Sequence, residues 1–208
     1  SDMAERRDDY RLAEVCTDFM ALLDHLRLDR VMVIGHDWGA VLAWHLAIHH
    51  PERITHLVAV SVGHPTAFAR AGLKQKVRSW YTVYFTMAGL AERLLLGSGR
   101  LSARRLLASH PDVDAVLDRL RSPGRLTAAL RLYRANVLTL LLKRFGPAQC
   151  PVLGIWSEDD VALTERQMLD SELRVTGPFR YRRFTGGHWI PLEQPERLAT
   201  EILDFAAR

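Results

Sequence analysis

Residues 31–40 constrain the fold of this chain more than any other segment. They open with an apolar, largely β-branched run, Val31-Met32-Val33-Ile34, which is typical of a buried strand and breaks at Gly35. After Gly39 the sequence takes the pattern of a helix. One reactive side chain, that of Asp37, therefore stands between small residues at a strand-to-helix turn. This pattern predicts a nucleophile elbow, a turn so tight that only glycine-sized neighbours fit beside the central residue.

The carboxylate at this elbow limits the chemistry of the chain. A serine there would form an acyl-enzyme from an ester or amide, whereas a carboxylate displaces a leaving group at a saturated carbon and becomes an alkyl ester. Water deprotonated by a histidine would then hydrolyse that ester. The pattern favours substrates activated at sp³ carbon, such as epoxides or alkyl halides. The alternative is that Asp37 caps the helix, since aspartate is favoured at helix starts, although capping alone would not need glycine on both sides.

A second strand-like segment ends in carboxylates. The apolar residues 151–156 lead into Ser157-Glu158-Asp159-Asp160. Carboxylates just past the carboxyl end of a parallel strand lie on the ligand-binding edge of an α/β sheet. We expect Asp160 to hold a catalytic histidine in one tautomer and to stabilise its imidazolium form, with Glu158 and Asp159 as competing candidates.

The histidine that best fits this pairing is His188. It follows a strand-like run at residues 179–184 and two glycines, which allow a sharp turn that would aim the imidazole back toward Asp37. The alternative is an ordinary hydrogen-bonded loop histidine. His36, which adjoins the nucleophile, would lie beneath the pocket and is interpreted as structural.

The rest of the pattern predicts an α/β protein. A first helix is expected over residues 11–28 with Asp9 as its N-cap, and a last helix over residues 195–207. A strand at residues 57–61 follows the elbow helix, and the alternation of strands and helices indicates a mostly parallel sheet. Between residues 65 and 147 the periodicity becomes helical. The apolar positions there that suit one face of short helices are Leu90, Leu94, Leu95, Leu101 and Leu106.

Three segments together resemble the α/β-hydrolase superfamily and, within it, the epoxide hydrolases. They are the elbow at residues 33–40, the run Trp156-Ser157-Glu158-Asp159-Asp160, and residues 187–196, which begin Gly187-His188-Trp189. Their order, nucleophile then acid then histidine, is the order found in that superfamily. The resemblance implies an α/β-hydrolase fold with a mostly parallel sheet and assigns Asp160 as the acid. It also implies that Trp38 gives a backbone N–H to the oxyanion hole, which stabilises the tetrahedral intermediate of ester hydrolysis.

The same resemblance implies an inserted helical cap that carries a pair of tyrosines. The run Trp80-Tyr81-Thr82-Val83-Tyr84-Phe85 is similar to one tyrosine segment of the epoxide hydrolases, and Leu132-Tyr133-Arg134-Ala135-Asn136 is similar to the other. Tyr81 and Tyr133 are the implied pair, and Tyr84 is the less favoured candidate. Phenols suit this position because opening an epoxide generates an alkoxide that needs a proton. The alternative is that both rings are aromatic core residues of the cap.

By this resemblance the chain divides into three parts. Residues 1–65 are the first part of the hydrolase core, residues 66–146 the cap, and residues 147–208 the second part of the core. The family's N-terminal strands and its His-Gly-any residue-Pro loop, which supplies a second oxyanion-hole N–H, have no counterpart in the sequence, and Ser1-Asp2 resembles the end of that loop region. We expect a piece of a longer polypeptide, because a sheet without those strands would expose an apolar edge; a degenerate relative is the alternative.

Composition and charge argue against several other classes of function. The net charge of +4 comes from scattered basic residues, with one cluster at Arg100, Arg104 and Arg105, and lacks the continuous stripe typical of nucleic-acid binding. The context of Cys16 and Cys150 indicates neither a metal site nor a disulfide framework. No apolar run is long enough to span a bilayer. We expect no cofactor, metal, nucleic-acid partner or membrane association, and a cytoplasmic location by default.

The leading hypothesis is an epoxide hydrolase that converts a small-molecule epoxide and water into a vicinal diol. Asp37 would attack an epoxide carbon while Tyr81 and Tyr133 protonate the departing oxygen. His188, steadied by Asp160, would then activate water against the ester. The alternatives are a haloalkane or haloacid dehalogenase with the same triad, and a non-catalytic ligand-binding protein that retains the fold.

Overall fold

A parallel sheet organises the molecule, which the computed structural model describes over residues 3–207, so that the Ser1-Asp2 pair lies outside the described residues. The order of its strands is β1-β2-β3-β4, and each neighbouring pair is parallel. The strands are β1 (Val31–His36), β2 (Ile54–Val60), β3 (Val152–Ser157) and β4 (Phe179–Phe184). Parallel strands need crossover connections, and helices supply them. The predicted α/β class with a parallel sheet is confirmed.

Helices make up most of the remaining chain. In chain order they are α1 (Leu12–His25), α2 (Trp38–His49), α3 (Pro65–Arg70), α4 (Leu73–Arg78), α5 (Trp80–Thr86), α6 (Leu90–Leu95), α7 (Ala103–Leu106), α8 (Val113–Arg121), α9 (Arg125–Leu142), α10 (Glu165–Leu169), α11 (Ile190–Glu193) and α12 (Pro195–Ala206). Helices α3 to α9, here called the helical lobe, lie between β2 and β3 in the chain, where the sequence predicted helical structure. The division into core and cap at residues 66 and 146 stays a prediction.

Two local expectations at the start of the chain are wrong. Asp9 does not cap α1, because it lies in a 3₁₀ turn, Asp8–Tyr10, and Arg11 occupies the N-cap position. The helix also ends earlier than expected, at His25, and Arg27 soon afterwards takes a φ of 57° that an α-helix cannot continue.

The two faces of the sheet bury different core clusters. Successive residues of β2 point to opposite faces, so Leu57 packs with Trp44 of α2, whereas Val58 packs with Phe205 of α12. Strands β2 and β3 are interior and covered on both sides, which explains why residues 57–60 of β2 and 152–156 of β3 are apolar without alternation.

The helical lobe has an apolar cluster of its own, which includes Tyr84, Leu95 and Leu130. Of the apolar positions expected to face it, Leu95 is buried and Leu94 and Leu106 pack at its margin. Leu90 and Leu101 are 44% and 37% exposed, so the expectation is wrong for these two.

Membrane and partner expectations meet one structural test. Within residues 3–207 no helix has the length and apolar character needed to cross a membrane. The predicted cytoplasmic location and the predicted absence of a nucleic-acid partner stay predictions.

Candidate active site

The turn between β1 and α2 holds Asp37 in an uncommon backbone conformation. Its φ is 52° and its ψ is −120°, a region that the surrounding structure has to enforce. Gly35 permits the turn, since a Cβ there would lie 2.2 Å from the carbonyl oxygen of Gly39. At Gly39 an added Cβ would meet nothing within 4 Å. The steric argument for small neighbours is therefore right at Gly35 and wrong at Gly39.

The Asp37 carboxylate is not used to cap the helix that follows it. Asp37 occupies the N-cap position of α2, but its side chain makes no capping hydrogen bond to a described residue. It lines two adjoining cavities instead. The capping interpretation lacks the bond that defines it, and the geometry favours a carboxylate that faces a ligand.

His188 and Asp160 form a hydrogen-bonded pair. The Nδ1 atom of His188 lies 2.8 Å from Oδ2 of Asp160, whose side chain is fully buried. Because a carboxylate accepts, Nδ1 carries the proton, and Nε2 is left as the basic nitrogen. Asp37, Asp160 and His188 follow the carboxyl ends of β1, β3 and β4, so the parallel sheet brings all three to one edge.

The competing carboxylates are placed elsewhere. Glu158 is exposed and forms an ion pair with Arg183 at 3.2 Å, and Asp159 is exposed as well. Geometry therefore selects Asp160 as the partner of His188.

The electrostatic surroundings of His188 favour its protonated form. Burial lowers the pKa of this imidazole, but the hydrogen bond and charge of Asp160, with the charges of Asp37 and Glu193, outweigh burial and raise the pKa above its ordinary value. This is the environment expected of a base whose imidazolium form has to be stabilised during reaction.

His36 supports the loop that carries His188. Its Nε2 atom donates to the backbone carbonyl oxygen of His188 at 2.8 Å, and the two rings lie 4.7 Å apart. Burial lowers the pKa of His36, and the neighbouring His188 lowers it further. Two residues before His188, Gly186 has a φ of 87°, which makes the sharp turn that leads into the histidine. These contacts agree with the structural interpretation of His36.

The two predicted tyrosines lie opposite the nucleophile, in the helical lobe. Tyr81 of α5 and Tyr133 of α9 line both cavities together with Asp37, and their ring centroids are 6.4 Å apart. Burial raises the pKa of both phenols, and the charge of Asp37 raises it further. Tyr84, by contrast, is 6% exposed and donates to the carbonyl oxygen of Leu101 at 3.2 Å, as a core residue of the lobe.

Trp38 is the first residue of α2. The first N–H groups of an α-helix have no intrahelical acceptor, and the helix dipole favours negative charge beside them. The placement suits the predicted donation to an oxyanion formed on Asp37. The Trp38 ring also packs edge-on against Tyr133, with centroids 4.9 Å apart.

The two cavities meet at Asp37 and the tyrosines and differ in size. One is about 260 Å³ and is also lined by Trp80, Phe85, Leu106, Leu107, His188 and Trp189. The other is about 70 Å³ and is walled by Val41, Val62, Phe68, Val137, Leu140 and Leu163. Sequence reasoning missed these apolar walls, because no motif distinguishes an apolar residue that lines a cavity from one that fills a core.

Potential metal ligands do not cluster among the described residues. Within residues 3–207 there is no group of three or more histidine, cysteine, aspartate or glutamate side chains placed to hold a metal ion.

Comparison with known proteins places these features in a family. Residues 1–195 match the model of the family described as alpha/beta hydrolase fold. The chain is 29% identical over 216 residues to the AB hydrolase superfamily protein YfhM of Bacillus subtilis, which covers 99% of this chain and 76% of that protein. It is 26% identical over 222 residues to human Epoxide hydrolase 4, covering 99% of this chain and 61% of the human protein.

Solved structures show the same fold. The Bacillus megaterium epoxide hydrolase in complex with an inhibitor has a TM-score of 0.84, with 19% sequence identity, and the match covers 99% of this chain and 79% of that one. At this level of identity the likeness concerns the fold alone.

Proposed function

This chain belongs to the α/β hydrolase fold family, and from that premise we propose that it acts as an epoxide hydrolase, which adds water to an epoxide to give a vicinal diol. The observation that carries the proposal is the convergence of Asp37, the His188–Asp160 pair and two phenols on adjoining cavities. Relatives named epoxide hydrolase, from human and from Mycobacterium tuberculosis, support the same activity.

The first half-reaction would form an alkyl ester on the enzyme. A carboxylate oxygen of Asp37 attacks one epoxide carbon, the ring C–O bond breaks, and its electron pair moves to the ring oxygen. Tyr81 and Tyr133 hydrogen-bond that oxygen, and one phenol gives it a proton. Burial raises the pKa of both phenols further above neutral, so they hold their protons until the alkoxide, a stronger base, forms beside them.

The second half-reaction would hydrolyse the ester. Nε2 of His188 takes a proton from water, and the hydroxide adds to the carboxyl carbon of Asp37. The oxyanion that forms would accept a hydrogen bond from the Trp38 N–H. Collapse of this intermediate breaks the ester C–O bond, and the departing alkoxide takes the proton that His188 holds, which releases the diol. The proton of the Asp37 carboxyl group then returns to the tyrosine that gave up its own, so the carboxylate and both phenols are restored.

Intact-protein mass spectrometry on a His188→Gln variant tests the proposal. After exposure to a small aryl epoxide, the ester should accumulate, and the mass should rise by one whole epoxide. The Asp37→Asn variant is the matched control and should gain nothing. The proposal would be contradicted if the wild type makes no diol and a folded His188→Gln variant forms no adduct. Release of halide from alkyl halides would favour a dehalogenase.

A further inference from the structure

The loop that carries the triad acid is fastened to the helical lobe. This loop, residues 158–164, here called the acid loop, follows β3 and is hydrogen-bonded to side chains of α4. The Nη1 atom of Arg78, the last residue of α4, donates to the carbonyl oxygens of Asp160 and Leu163, each at 2.7 Å. One guanidinium group therefore holds both ends of the turn that presents the carboxylate.

A second side chain of α4 holds the remainder of the acid loop. Gln75 is 2% exposed, and its Nε2 donates to the carbonyl oxygen of Ala162 at 3.0 Å and to the hydroxyl of Ser79 at 2.9 Å. Its Oε1 accepts from the N–H of Thr164 at 2.8 Å and from the Thr164 hydroxyl at 2.9 Å. The amide makes two donor and two acceptor bonds while buried, and leaving such groups unpaired would be costly.

The same loop backbone orients the acid itself. Oδ1 of Asp160 accepts from the N–H groups of Ala162 and Leu163 at 2.8 and 2.9 Å, while Oδ2 faces Nδ1 of His188. Helix α4 binds the carbonyl oxygens of Asp160, Ala162 and Leu163, and the last two of these residues also hold the carboxylate with their N–H groups. An unbroken series of hydrogen bonds runs from the helical lobe to the imidazole.

We propose that Arg78 and Gln75 are positioning residues for the triad acid, so that correct seating of the helical lobe on the acid loop is required for rapid hydrolysis of the alkyl ester. The inference rests on the proposed function. It separates the two half-reactions, because formation of the ester uses Asp37 and the tyrosines, whereas its hydrolysis uses the His188–Asp160 pair.

The first test compares the rates of the two half-reactions in single-turnover experiments. In Arg78→Met the hydrolysis rate should fall by roughly tenfold to a hundredfold, the range for small misplacements of catalytic groups, while ester formation changes little and the ester accumulates. Arg78→Lys, which keeps a cationic donor, should recover part of the rate. Lys76→Met is the matched control, because Lys76 lies on the same helix, carries the same charge and is exposed; its rates should equal those of the wild type.

A pH profile gives a readout that mere loss of stability would not move. The charged and titratable groups around His188 are three acids, Asp160, Asp37 and Glu193, and one base, His36. In the neutral variant Gln75→Met only the pairing with Asp160 should loosen, so the acid limb of the hydrolysis rate should move to lower pH.

The outcomes separate the two proposals. A wild type that forms neither ester nor diol contradicts the proposed function. This inference alone is overturned if the wild type turns over and Arg78→Met or Gln75→Met hydrolyses its ester at the wild-type rate and with the wild-type acid limb. Melting curves identify a variant that has not folded, in which case Arg78→Lys, measured in the same way, decides.

Discussion

The Nε2 atom of His36 and the carbonyl oxygen of His188, 152 positions apart in the chain, are joined by a hydrogen bond of 2.8 Å. This bond joins the side chain of His36, which adjoins the nucleophile, to the backbone of the loop that carries the proposed base. Trp189 covers the bond from one side, with its ring 5.0 Å from that of His188 and 5.8 Å from that of His36. The loop of the proposed base is therefore in contact with side chains that take no part in the proposed chemistry.

Replacing His36 with Phe keeps an aromatic ring but removes this hydrogen bond. We expect a loss of unfolding free energy of about 1 kcal/mol, as for one partly buried hydrogen bond, together with slower ester hydrolysis. Urea unfolding and single-turnover kinetics would measure the two effects. His25→Phe, at an exposed histidine that ends α1, is the control. Unchanged hydrolysis in His36→Phe would show that the bond does not align the base.

Asp160→Asn should slow the second half-reaction far more than the first. The variant removes the carboxylate that favours the Nδ1–H tautomer and raises the pKa of His188; in serine hydrolases the equivalent loss is on the order of 10⁴-fold. Rapid-quench measurement of ester formation and decay would show this. Glu158→Gln, at the exposed carboxylate two positions earlier, should leave both rates unchanged. Equal effects from the two variants would refute the assignment of Asp160.

Tyr81→Phe and Tyr133→Phe should slow ester formation. Each variant removes one donor to the departing oxygen, and such a loss raises the barrier by roughly 1 to 3 kcal/mol. The rate of adduct appearance in a His188→Gln background measures this step directly. Tyr84→Phe is the matched control, because its hydroxyl bonds to Leu101 and not to the cavity; it should affect stability only. A Tyr84 effect on the rate as large as the others would contradict the assignment.

Stability should fall as the pH falls below about 6.5, in part through His64. This side chain is fully buried, and its ring accepts from the N–H of Thr66 and faces the carbonyl oxygen of Gly146 at 2.9 Å. Burial lowers the pKa of His64 to about 4. Since the folded state holds the neutral ring, His64 contributes on the order of 3 kcal/mol at pH 7, and this contribution is lost between about pH 6.5 and pH 4.

The His64→Gln variant tests that linkage. Urea unfolding at several pH values should show a lower stability at neutral pH and a shallower decline toward pH 4 than in the wild type. His25→Gln, at an exposed site, should leave the slope unchanged. A wild-type slope in His64→Gln would show that other groups cause the acid loss; His45, whose pKa burial also lowers to about 4, would be the next to replace.

Val137→Phe should narrow substrate choice by filling the smaller cavity. That cavity is about 70 Å³ and includes Val137 in its wall, so a larger ring there leaves little room for a substituent. We expect the kcat/KM for epoxides substituted on both carbons to fall by roughly fivefold to 150-fold, since added bulk in a packed site costs about 1–3 kcal/mol. Terminal epoxides should be affected less. Leu138→Phe, at an exposed neighbour, is the control.

Much of the fold and the triad order could be predicted from local patterns. The β-branched run before Gly35 marked a buried strand, and the strand at Phe179–Phe184 has the bounds that the sequence predicted. Such patterns show the period at which side chains are buried, and that period depends on residues close together in the sequence.

Contacts between distant segments could not be obtained in this way. Because Glu158, Asp159 and Asp160 are consecutive, local sequence could not tell which carboxylate pairs with the histidine. In the structure Asp160 bonds to His188, whereas Glu158 pairs with Arg183. Asp9 is a residue type that favours the N-cap position, yet it lies within a 3₁₀ turn that precedes α1. Nothing local marks Gln75 or Arg78, because their partners in the acid loop lie more than 80 positions away.

The sequence by itself determined the chemical type of the site: a carboxylate at a glycine-bounded turn, then a carboxylate, then a histidine, each after a strand. Strand and turn propensities act over a few residues, so that information is local. The tertiary structure decided which carboxylate meets the histidine, which tyrosines face Asp37 and which helix holds the acid loop. Those choices depend on how helices from one stretch of chain pack against loops from another, and packing of that kind depends on the whole chain at once.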